Sequence, residues 1–287
     1  MVSEMFEVIW DALLDALIDG AKLLPFLFLT YFAMEWLEHR AGNKVNAWVR
    51  KSGKLGPLVG GTLGAVPQCG FSAAASNLYA GRVITLGTLL SIYLSTSDEM
   101  LPILISHKAE PLLILKILLA KMGIGMAAGF LVDLCYRKKL PEHGHIHELC
   151  EHEHCNCEKS ILKSALIHTL KIAAFIFLIA FGLNLILEFG GEEVLASFLA
   201  DRTILAPILS GLVGLIPNCA SSVVITELYL EGALGFGAML AGLLVNAGVG
   251  LLVLFKMNHD QKENLTILSL LYLIGVIVGI AVSFVVG

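Results

Sequence analysis

A short motif occurs twice in this chain, and the two copies lie 150 positions apart. Gly64-Ala-Val-Pro-Gln-Cys-Gly-Phe-Ser72 aligns with Gly214-Leu-Ile-Pro-Asn-Cys-Ala-Ser-Ser222, so that proline, cysteine and serine coincide. When residues 56–100 are aligned with residues 206–250, eleven of the 45 pairs are identical, whereas chance in so apolar a chain gives about three or four. The identical pairs are Pro57/Pro207, Gly61/Gly211, Gly64/Gly214, Pro67/Pro217, Cys69/Cys219, Ser72/Ser222, Leu78/Leu228, Tyr79/Tyr229, Gly87/Gly237, Leu90/Leu240 and Leu94/Leu244. The fold must therefore build one unit twice.

The composition places both copies in a membrane. Of the 287 residues, 57% are hydrophobic and 15% are charged, against about 25% charged in an average soluble domain. Several apolar runs of about 20 residues follow one another, more than one soluble core can cover. Nothing in the chain is basic enough to hold nucleic acid. We therefore expect an all-α, multi-pass protein of the cell membrane, in contact with the lipid bilayer.

The proline in each copy predicts an interrupted helix. A glycine-rich apolar stretch covers residues 56–80 with Pro67 at its middle, and residues 204–230 contain Pro217 in the same way. Eleven helical residues on either side of Pro67 reach only about 16 Å, roughly half the hydrocarbon thickness. We predict two half-helices that meet at residues 67–70, and an equivalent pair around Pro217.

Longer helices fill the rest of each half. Continuous spans are predicted over residues 21–38, 83–106, 111–134, 162–188, 233–255 and 265–286. Acidic residues at helical spacing in residues 4–19 predict an amphipathic helix lying at the membrane surface; the alternative is an acidic entry for cations. The expected domains are a first transmembrane repeat, a polar loop and a second transmembrane repeat, over residues 1–135, 136–160 and 161–287.

Loop charges predict that the two repeats have opposite orientations. A pair of half-helices that returns to its own side leaves an odd number of crossings in each half, so the second half is inverted. The loop at residues 39–54 is basic and its counterpart at 188–203 is acidic, which places the first in the cytoplasm and the second outside. Residues 136–160 are then cytoplasmic and both termini external. Inverted repeats with discontinuous helices are typical of secondary transporters with a site near the bilayer midplane.

Polar residues at the predicted interruptions are candidates for the transport pathway. A broken helix is tolerated in lipid only where its freed backbone faces protein or a watery cavity. In each copy an amide precedes the cysteine and a serine follows it. The candidates from the two copies are Gln68, Cys69, Ser72, Asn218, Cys219 and Ser222. The alternative is that each cysteine is a small packing residue and each proline only a kink.

Two carboxylates lie in a predicted span. Asp98 and Glu99 cost at least about 2.5 to 3.5 kcal/mol at that depth unless a partner is present, so we expect them in the ion pathway. Asn246, which aligns with Thr96, and Glu227 complete the candidate set. The alternative for the two carboxylates is a helix end or a structural ion pair with Lys108 or Arg82. No arginine lies within a predicted span, so a strongly anionic ligand would find little to hold it.

The polar loop is rich in metal-binding side chains. Five imidazoles and three thiols occur in residues 143–157. Such ligands suit Zn(II), copper or Ni(II), and closely spaced pairs let one flexible segment wrap an ion. We predict a transition-metal ion bound by this segment, against the alternative of a solvated linker. The predicted ligands are His143, His145, His147, Cys150, His152, His154, Cys155 and Cys157.

Several stretches together resemble a known family. They are Pro67-Gln-Cys-Gly70, Pro217-Asn-Cys-Ala220, Ser97-Asp-Glu-Met-Leu-Pro102, Glu227-Leu-Tyr229, Asn246-Ala-Gly248 and the His/Cys-rich loop. This set is similar to the ten-helix heavy-metal exporters, a group also labelled arsenic efflux permeases or manganese transporters. The resemblance covers essentially the whole chain. It implies export of a metal or metalloid ion by a protein that is not an enzyme and needs no catalytic cofactor.

Ligand chemistry bears on which ion is carried. Mn(II) prefers carboxylate and carbonyl oxygen, supplied by Asp98, Glu99 and the amides, whereas trivalent arsenic and Zn(II) prefer the thiols of Cys69 and Cys219. A Mn(II)-like divalent cation is slightly favoured, because arsenite is neutral at neutral pH and gives no reason to bury carboxylates. No G-x-x-x-x-G-K-[ST] nucleotide loop occurs, so an ion gradient or the membrane potential would drive transport.

Two other functions were weighed, and the assembly state is left open. A membrane lipid phosphatase or hydrolase using Ser72 or Ser222 is disfavoured because no histidine accompanies either serine as a base. A passive channel would instead show a flux without saturation. The sequence leaves self-association into a homo-oligomer open.

Overall fold

A computed structural model describes most of the two repeats. The described residues are 55–66, 69–97, 100–136, 161–186 and 204–286, with single helical positions between 9 and 32. Within them the secondary structure consists of α-helices joined by turns, which confirms the all-α prediction. The helices are α1 (Gly56–Gly64), α2 (Cys69–Ala80), α3 (Leu86–Ser95), α4 (Met100–Ser106), α5 (Pro111–Cys135), α6 (Ile161–Ile186), α7 (Leu205–Gly214), α8 (Cys219–Leu230), α9 (Phe236–Val245), α10 (Gly250–Met257) and α11 (Gln261–Val286).

Among the described residues, three stretches are long and apolar enough to cross a membrane. They are α5, the combined α9–α10 stretch (Phe236–Met257) and α11. The apolar window of α9–α10 is 89% buried, whereas those of α5 and α11 are each 28% buried. Because a helix that is hydrophobic all round and buried belongs in the interior, α9–α10 lies centrally and α5 and α11 lie at the periphery. The predicted spans 111–134, 162–188 and 265–286 correspond closely to α5, α6 and α11.

Two of the predicted spans are interrupted, which the sequence pattern did not predict. Residues 83–106 form α3 and α4, and residues 233–255 fall in α9 and α10. The backbone of Thr96 is extended (φ −54°, ψ 128°), and its hydroxyl donates to the Ile92 carbonyl at 2.8 Å. Asn246 is also extended, and Gly248 has a positive φ of 53°. Side chains that bond to nearby backbone compete with the helical ladder, a local effect that an apolar pattern does not reveal.

Helix packing in the first half recurs in the second with the same offset. α1 packs on α3 and α3 on α5, just as α7 packs on α9 and α9 on α11. A Cβ atom on Gly64 would lie 2.6 Å from the Ile92 carbonyl oxygen, and one on Gly214 would lie against the Gly242 carbonyl oxygen. Positions 92 and 242 are themselves 150 apart. Glycine occurs in both copies of the motif because backbone meets backbone at that point.

The two halves also interlock. In the first half α2 contacts α10 of the second half, and in the second half α8, which is equivalent to α2, contacts α4 of the first. Apolar side chains from both halves share the same clusters: one cluster contains Tyr79 and Leu251, and another contains Leu104 and Ile225. Small residues at helix contacts let backbones approach closely, which is how membrane helices associate without a hydrophobic driving force between them.

A polar cluster ties the turn after α2 to the start of α11. Arg82, in a left-handed conformation (φ 58°), donates from both terminal nitrogens to the Glu263 carboxylate at 3.0 and 2.7 Å. Tyr79 and Asn258 donate to the same carboxylate at 2.9 and 3.2 Å. These hydrogen bonds to Glu263 are the main reason that the pKa of Arg82 is raised. The α2–α3 turn and the α10–α11 turn therefore lie at one end of the bundle.

Contacts near the helix ends show that α5 ends beside the start of α3 and that α11 ends beside the start of α9. Asp133, near the end of α5, accepts hydrogen bonds from the Thr85 hydroxyl at 2.7 Å and the Gly87 amide at 2.8 Å. The end of α5 is thus at the same end of the bundle as the start of α3. A Cβ on Gly237, at the start of α9, would lie 2.6 Å from the backbone nitrogen of Ser283, near the end of α11. The first and second halves use the same contact at equivalent positions.

The described part of the N-terminal segment is helical where the amphipathic helix was predicted. Trp10 and Leu17 are exposed, whereas Ala16 is buried. Further along, the side chains of Phe28 and Phe32 stack with ring centroids 6.1 Å apart and pack against the cluster that contains Val253 of α10. The membrane-surface position of residues 4–19 stays a prediction.

Candidate functional site

Four breaks, each a short stretch between consecutive helices, define the candidate site. They lie after α1, α3, α7 and α9, and their described parts are residues 65–66, 96–97, 215–218 and 246–249. A helix end leaves carbonyl or amide groups without ladder partners, and in lipid such groups must be enclosed by protein or line a cavity. Two of the four breaks lie where proline predicted an interruption. The other two interrupt spans that were predicted without one.

The break before α8 places two predicted pathway residues in a buried position. Pro217 has no amide hydrogen and cannot continue the ladder of α7. Asn218 follows it in an extended conformation (φ −142°, ψ 151°) as the residue that precedes α8. Asn218 is buried, and its carbonyl oxygen accepts a hydrogen bond from Ser221 at 2.7 Å. Ser222 is also buried, with its carbonyl oxygen bonded to the Thr226 hydroxyl at 2.6 Å.

The first turns of α2 and α10 meet across the two halves. The buried Ser76 hydroxyl lies 2.7 Å from the carbonyl oxygens of both Ser72 and Gly250. It lies equally close, 2.7 Å, to the hydroxyl of Tyr93, which is itself 3.2 Å from the Gly250 carbonyl oxygen. A Cβ on Gly250 would come within 2.7 Å of the Ser72 Cβ. The predicted residue Ser72 is therefore buried where the break before α10 closes on α2.

Lys121 binds the backbone at two breaks at once, the one after α3 and the one after α9. It lies midway along α5 and is 1% exposed. Its ammonium donates to the carbonyl oxygens of Thr96 and, at 2.6 Å, Leu243, and it has further interactions besides. Thr96 caps the C-terminus of α3 and Leu243 lies in the last turn of α9. A cation is favoured at helix C-termini, where carbonyl groups carry partial negative charge.

Asn246 has a buried hydrogen-bond donor for which the described residues supply no acceptor. Its Oδ1 accepts the Gly248 amide at 2.8 Å, which determines the orientation of the side-chain amide. The residue is 3% exposed, and no acceptor among the described residues reaches its Nδ2. Ser210 Oγ has the same status within the described part of the chain. An unsatisfied buried donor costs about 1–3 kcal/mol, so a ligand that accepts a hydrogen bond would be stabilised beside Asn246.

The remaining predicted residues have other positions. Glu227 is exposed on α8, near the end of that helix. Arg82, considered as a partner for the two carboxylates, is bound by Glu263 instead, and Lys108 is exposed in a turn with a positive φ of 53°. Within the described residues there is no group of three or more histidine, cysteine or acidic side chains that could hold a metal ion.

Much of the predicted metal-binding set lies outside the described residues and stays a prediction. This holds for the side chains of both motif cysteines, which begin α2 and α8, and for the whole His/Cys-rich loop. The residues concerned are Gln68, Cys69, Asp98, Glu99, Cys219, His143, His145, His147, Cys150, His152, His154, Cys155 and Cys157.

Lys121 and Tyr93 were not among the site residues predicted from the sequence. A lysine in the middle of an apolar run is a detectable signal, because a charge at that depth needs a partner. That signal alone does not separate Lys121 from Lys116, which is exposed on the same helix. Tyr93 gives no comparable signal, since tyrosine is ordinary in an apolar span. Only the packing of α3 and α5 against α9 and α10 distinguishes these two residues.

One comparison with known proteins finds a relationship. A family model described as "Putative, 10TM heavy-metal exporter" matches the chain over residues 4–190 and 170–286. No curated protein and no solved structure matches. The family match takes in both halves of the chain and the loop between them.

Proposed function

We propose that this chain, which belongs to the 10TM heavy-metal exporter family, is a secondary transporter that exports its ion through a site at the four breaks. Membership of the family and the apolar helices make it a multi-pass membrane protein of the transporter class. The finer features proposed here are two inverted repeats, a site near the bilayer midplane and a driving force taken from an ion gradient or the membrane potential.

Contacts at the helix ends support inverted re-entrant pairs. Gly56, at the start of α1, lies against Thr88 in the first turn of α3, and α2 also ends beside α3. Both ends of the α1–α2 pair thus lie at the end of the bundle where α5 finishes. In the second half, Ala206 at the start of α7 and Leu228 near the end of α8 share a cluster with Leu234, which precedes α9. Because α3 and α4 lead from the first of these ends to the second, the two pairs open in opposite directions.

The observation that carries the proposal is the convergence of backbone from both halves at the breaks. Lys121 bridges the carbonyl oxygens of Thr96 and Leu243, and Ser76 bridges those of Ser72 and Gly250. Discontinuous helices with freed carbonyls and amides, set at the interface of inverted repeats, are where secondary transporters hold substrates and coupling ions. The predicted residue Asn246 is buried at the break after α9, and Asn218 and Ser222 are buried at the break before α8 and in its first turn.

The favoured substrate is a Mn(II)-like divalent cation. Asp98 and Glu99 occupy the break between α3 and α4 in sequence, and carboxylates together with backbone and amide oxygens are the ligands that such a cation prefers. Two carboxylates within an apolar segment are best explained by a positively charged substrate.

Arsenite is the second candidate, and one described atom favours it. The buried Nδ2 of Asn246 is a donor without an acceptor among the described residues. A hydroxylated metalloid presents oxygen atoms that accept hydrogen bonds, whereas a bare cation does not. The motif cysteines Cys69 and Cys219 would supply thiolates, which trivalent arsenic prefers.

The positive-inside rule, applied to the basic loop at residues 39–54, orients the protein in the cell membrane. The end of α5, the α2–α3 turn and the α10–α11 turn then face the cytoplasm, together with the loop at residues 136–160. That loop would bind the metal before transport or sense its level. Both termini lie outside.

The test is transport by single variants in vesicles containing the purified protein. Uptake of Mn(II), Zn(II), Cd(II) and arsenite into inside-out vesicles is measured for Asp98→Asn, Asn246→Ala, Cys69→Ala and Cys219→Ala. Cys135→Ala, an exposed cysteine at the end of α5, is the matched control. We expect Asp98→Asn to lose Mn(II) transport, the two motif-cysteine variants to lose the soft ions, and Asn246→Ala to lose arsenite if arsenite is the substrate.

Non-additivity provides a second criterion. If one ion draws on all of these side chains, removal of any one leaves the others partly unsatisfied, so double variants should be no worse than single ones. Transport of every ion at the wild-type rate by all four variants would show that the site is elsewhere. A flux that does not saturate with ion concentration would identify a channel instead of a carrier.

A further inference from the structure

Lys121 has the surroundings of a bound cation. Its ammonium is enclosed, with the whole residue 1% exposed, and its described hydrogen bonds go to backbone carbonyl oxygens. Thr96 and Leu243 belong to different halves of the protein and stand at the C-terminal ends of two interrupted helices. The lysine itself is on a third helix, α5, so its side chain reaches the two breaks from a helix that contains neither of them.

Carbonyl oxygens in this arrangement form a cation site. The last carbonyls of a helix lack amide partners and carry the negative end of the helix dipole. Two such ends that face one position create a negative potential there. In secondary transporters the unwound carbonyls and the C-terminal ends of half-helices are the groups that coordinate coupling ions such as Na⁺.

The chemistry of the side chain indicates why a charge is present. A serine or amide side chain could satisfy carbonyl oxygens without bringing a charge into the membrane interior, where an ammonium is costly. An ammonium is favoured over these neutral donors only if the position attracts positive charge. It has three donors, no acceptor and a size close to that of a small monovalent cation.

We propose that Lys121 is a tethered cation that permanently fills a monovalent-cation site between the two halves. The site is lined by the carbonyl oxygens of Thr96 and Leu243. With the site occupied by the protein's own ammonium, the arrangement of α3 and α9 does not depend on bound Na⁺ or K⁺. The inference depends only on these contacts and not on which metal ion is exported.

The test measures the thermal stability of the purified full-length protein in different monovalent chlorides. Wild type, Lys121→Ala and Lys121→Met are heated in choline, Na⁺, K⁺, ammonium, methylammonium or tetramethylammonium chloride at equal ionic strength. Lys121→Ala leaves room for a small cation, whereas Lys121→Met fills the space with an uncharged chain of similar length. Lys116→Ala, an exposed lysine on the same helix, is the matched control.

We expect the wild type and Lys116→Ala to have the same Tm in all six salts. Lys121→Ala should lose about 5 °C or more in choline. It should recover most of this with ammonium, methylammonium, K⁺ or Na⁺, in a saturable manner, and none with tetramethylammonium, which is too large. Lys121→Met should be destabilised and unresponsive to every cation.

An unresponsive Lys121→Ala, or an equal response from Lys121→Met, would overturn the proposal and leave Lys121 as a structural hydrogen-bond donor. If Lys121→Ala does not fold in choline, the readout is the yield of monodisperse protein purified in ammonium chloride against choline chloride. Recovery specific to the small cations supports the tethered-cation site, and equal yields refute it. Neither readout requires transport, so failure here is distinct from failure of the proposed export function.

Discussion

Removal of the Arg82 side chain should measure how strongly the two halves are held together at the end of the bundle where α5 finishes. Arg82→Ala deletes two hydrogen bonds to the Glu263 carboxylate, at 3.0 and 2.7 Å. Arginine and alanine both carry a Cβ atom, so the left-handed backbone at position 82 is equally strained in the wild type and in the variant. The change therefore reports the loss of the ion pair and not a relief of backbone strain.

The expected loss of stability depends on the hydrogen bonds that Glu263 retains in the variant. Hydrogen bonds to a charged group contribute about 1.5–3 kcal/mol each, but the Arg82 side chain is 27% exposed, so the pair is partly screened by solvent. Glu263 also retains the donors of Tyr79 and Asn258. We expect a loss of about 2–3 kcal/mol in total. At about 2–4 °C per kcal/mol, Tm falls by about 4–12 °C.

A double-mutant cycle with Glu263→Gln separates the pair from its surroundings. If the two side chains act through each other, the double variant should be little worse than either single variant, which corresponds to a coupling of about 2–3 kcal/mol. Glu231→Gln is the matched control, because Glu231 is an exposed carboxylate in the equivalent turn after α8. The readout is Tm of the purified protein in detergent. Strictly additive effects, or a change of less than about 2 °C in Arg82→Ala, would refute the reasoning.

Two further predictions concern packing and topology. Gly64→Ala should lower stability by about 1–3 kcal/mol, because its Cβ would meet the backbone of α3, whereas Gly123→Ala, which meets no atom within 4 Å, should be tolerated; equal Tm values for the two variants would contradict the close-packing argument. A thiol reagent that does not cross membranes should label the three loop cysteines of residues 143–157 only after cells are permeabilised. Labelling in intact cells would place that loop outside and overturn the inverted orientation.

Much of the fold was predictable because it follows from local composition. The apolar runs of α5, α6 and α11 determine spans of the correct length, since no other structure satisfies the backbone in lipid. The interruptions between α1 and α2 and between α7 and α8 were predictable because proline removes a ladder hydrogen bond. The family resemblance, confirmed by the match over both halves, rested on the same motif residues.

The breaks after α3 and after α9 were not predictable from pattern alone. Serine, threonine and asparagine are tolerated within membrane helices, so their presence does not require an interruption. An interruption depends on whether another part of the chain can form hydrogen bonds with the carbonyl and amide groups that it leaves unpaired. Here Lys121 of α5 binds the Thr96 and Leu243 carbonyls, and neither contact is visible in the linear order.

The sequence by itself determined that the chain is an all-α membrane protein, that it contains one unit twice, and where two of its helices end. Those conclusions depend on hydropathy, on identity at a constant offset and on the covalent chemistry of proline, all of which are local or periodic. Only the tertiary structure decided that α2 packs on α10 and α8 on α4, and which of two lysines is buried. Partner choice between helices depends on complementary shape and on freed polar groups far apart in sequence, which no local pattern encodes.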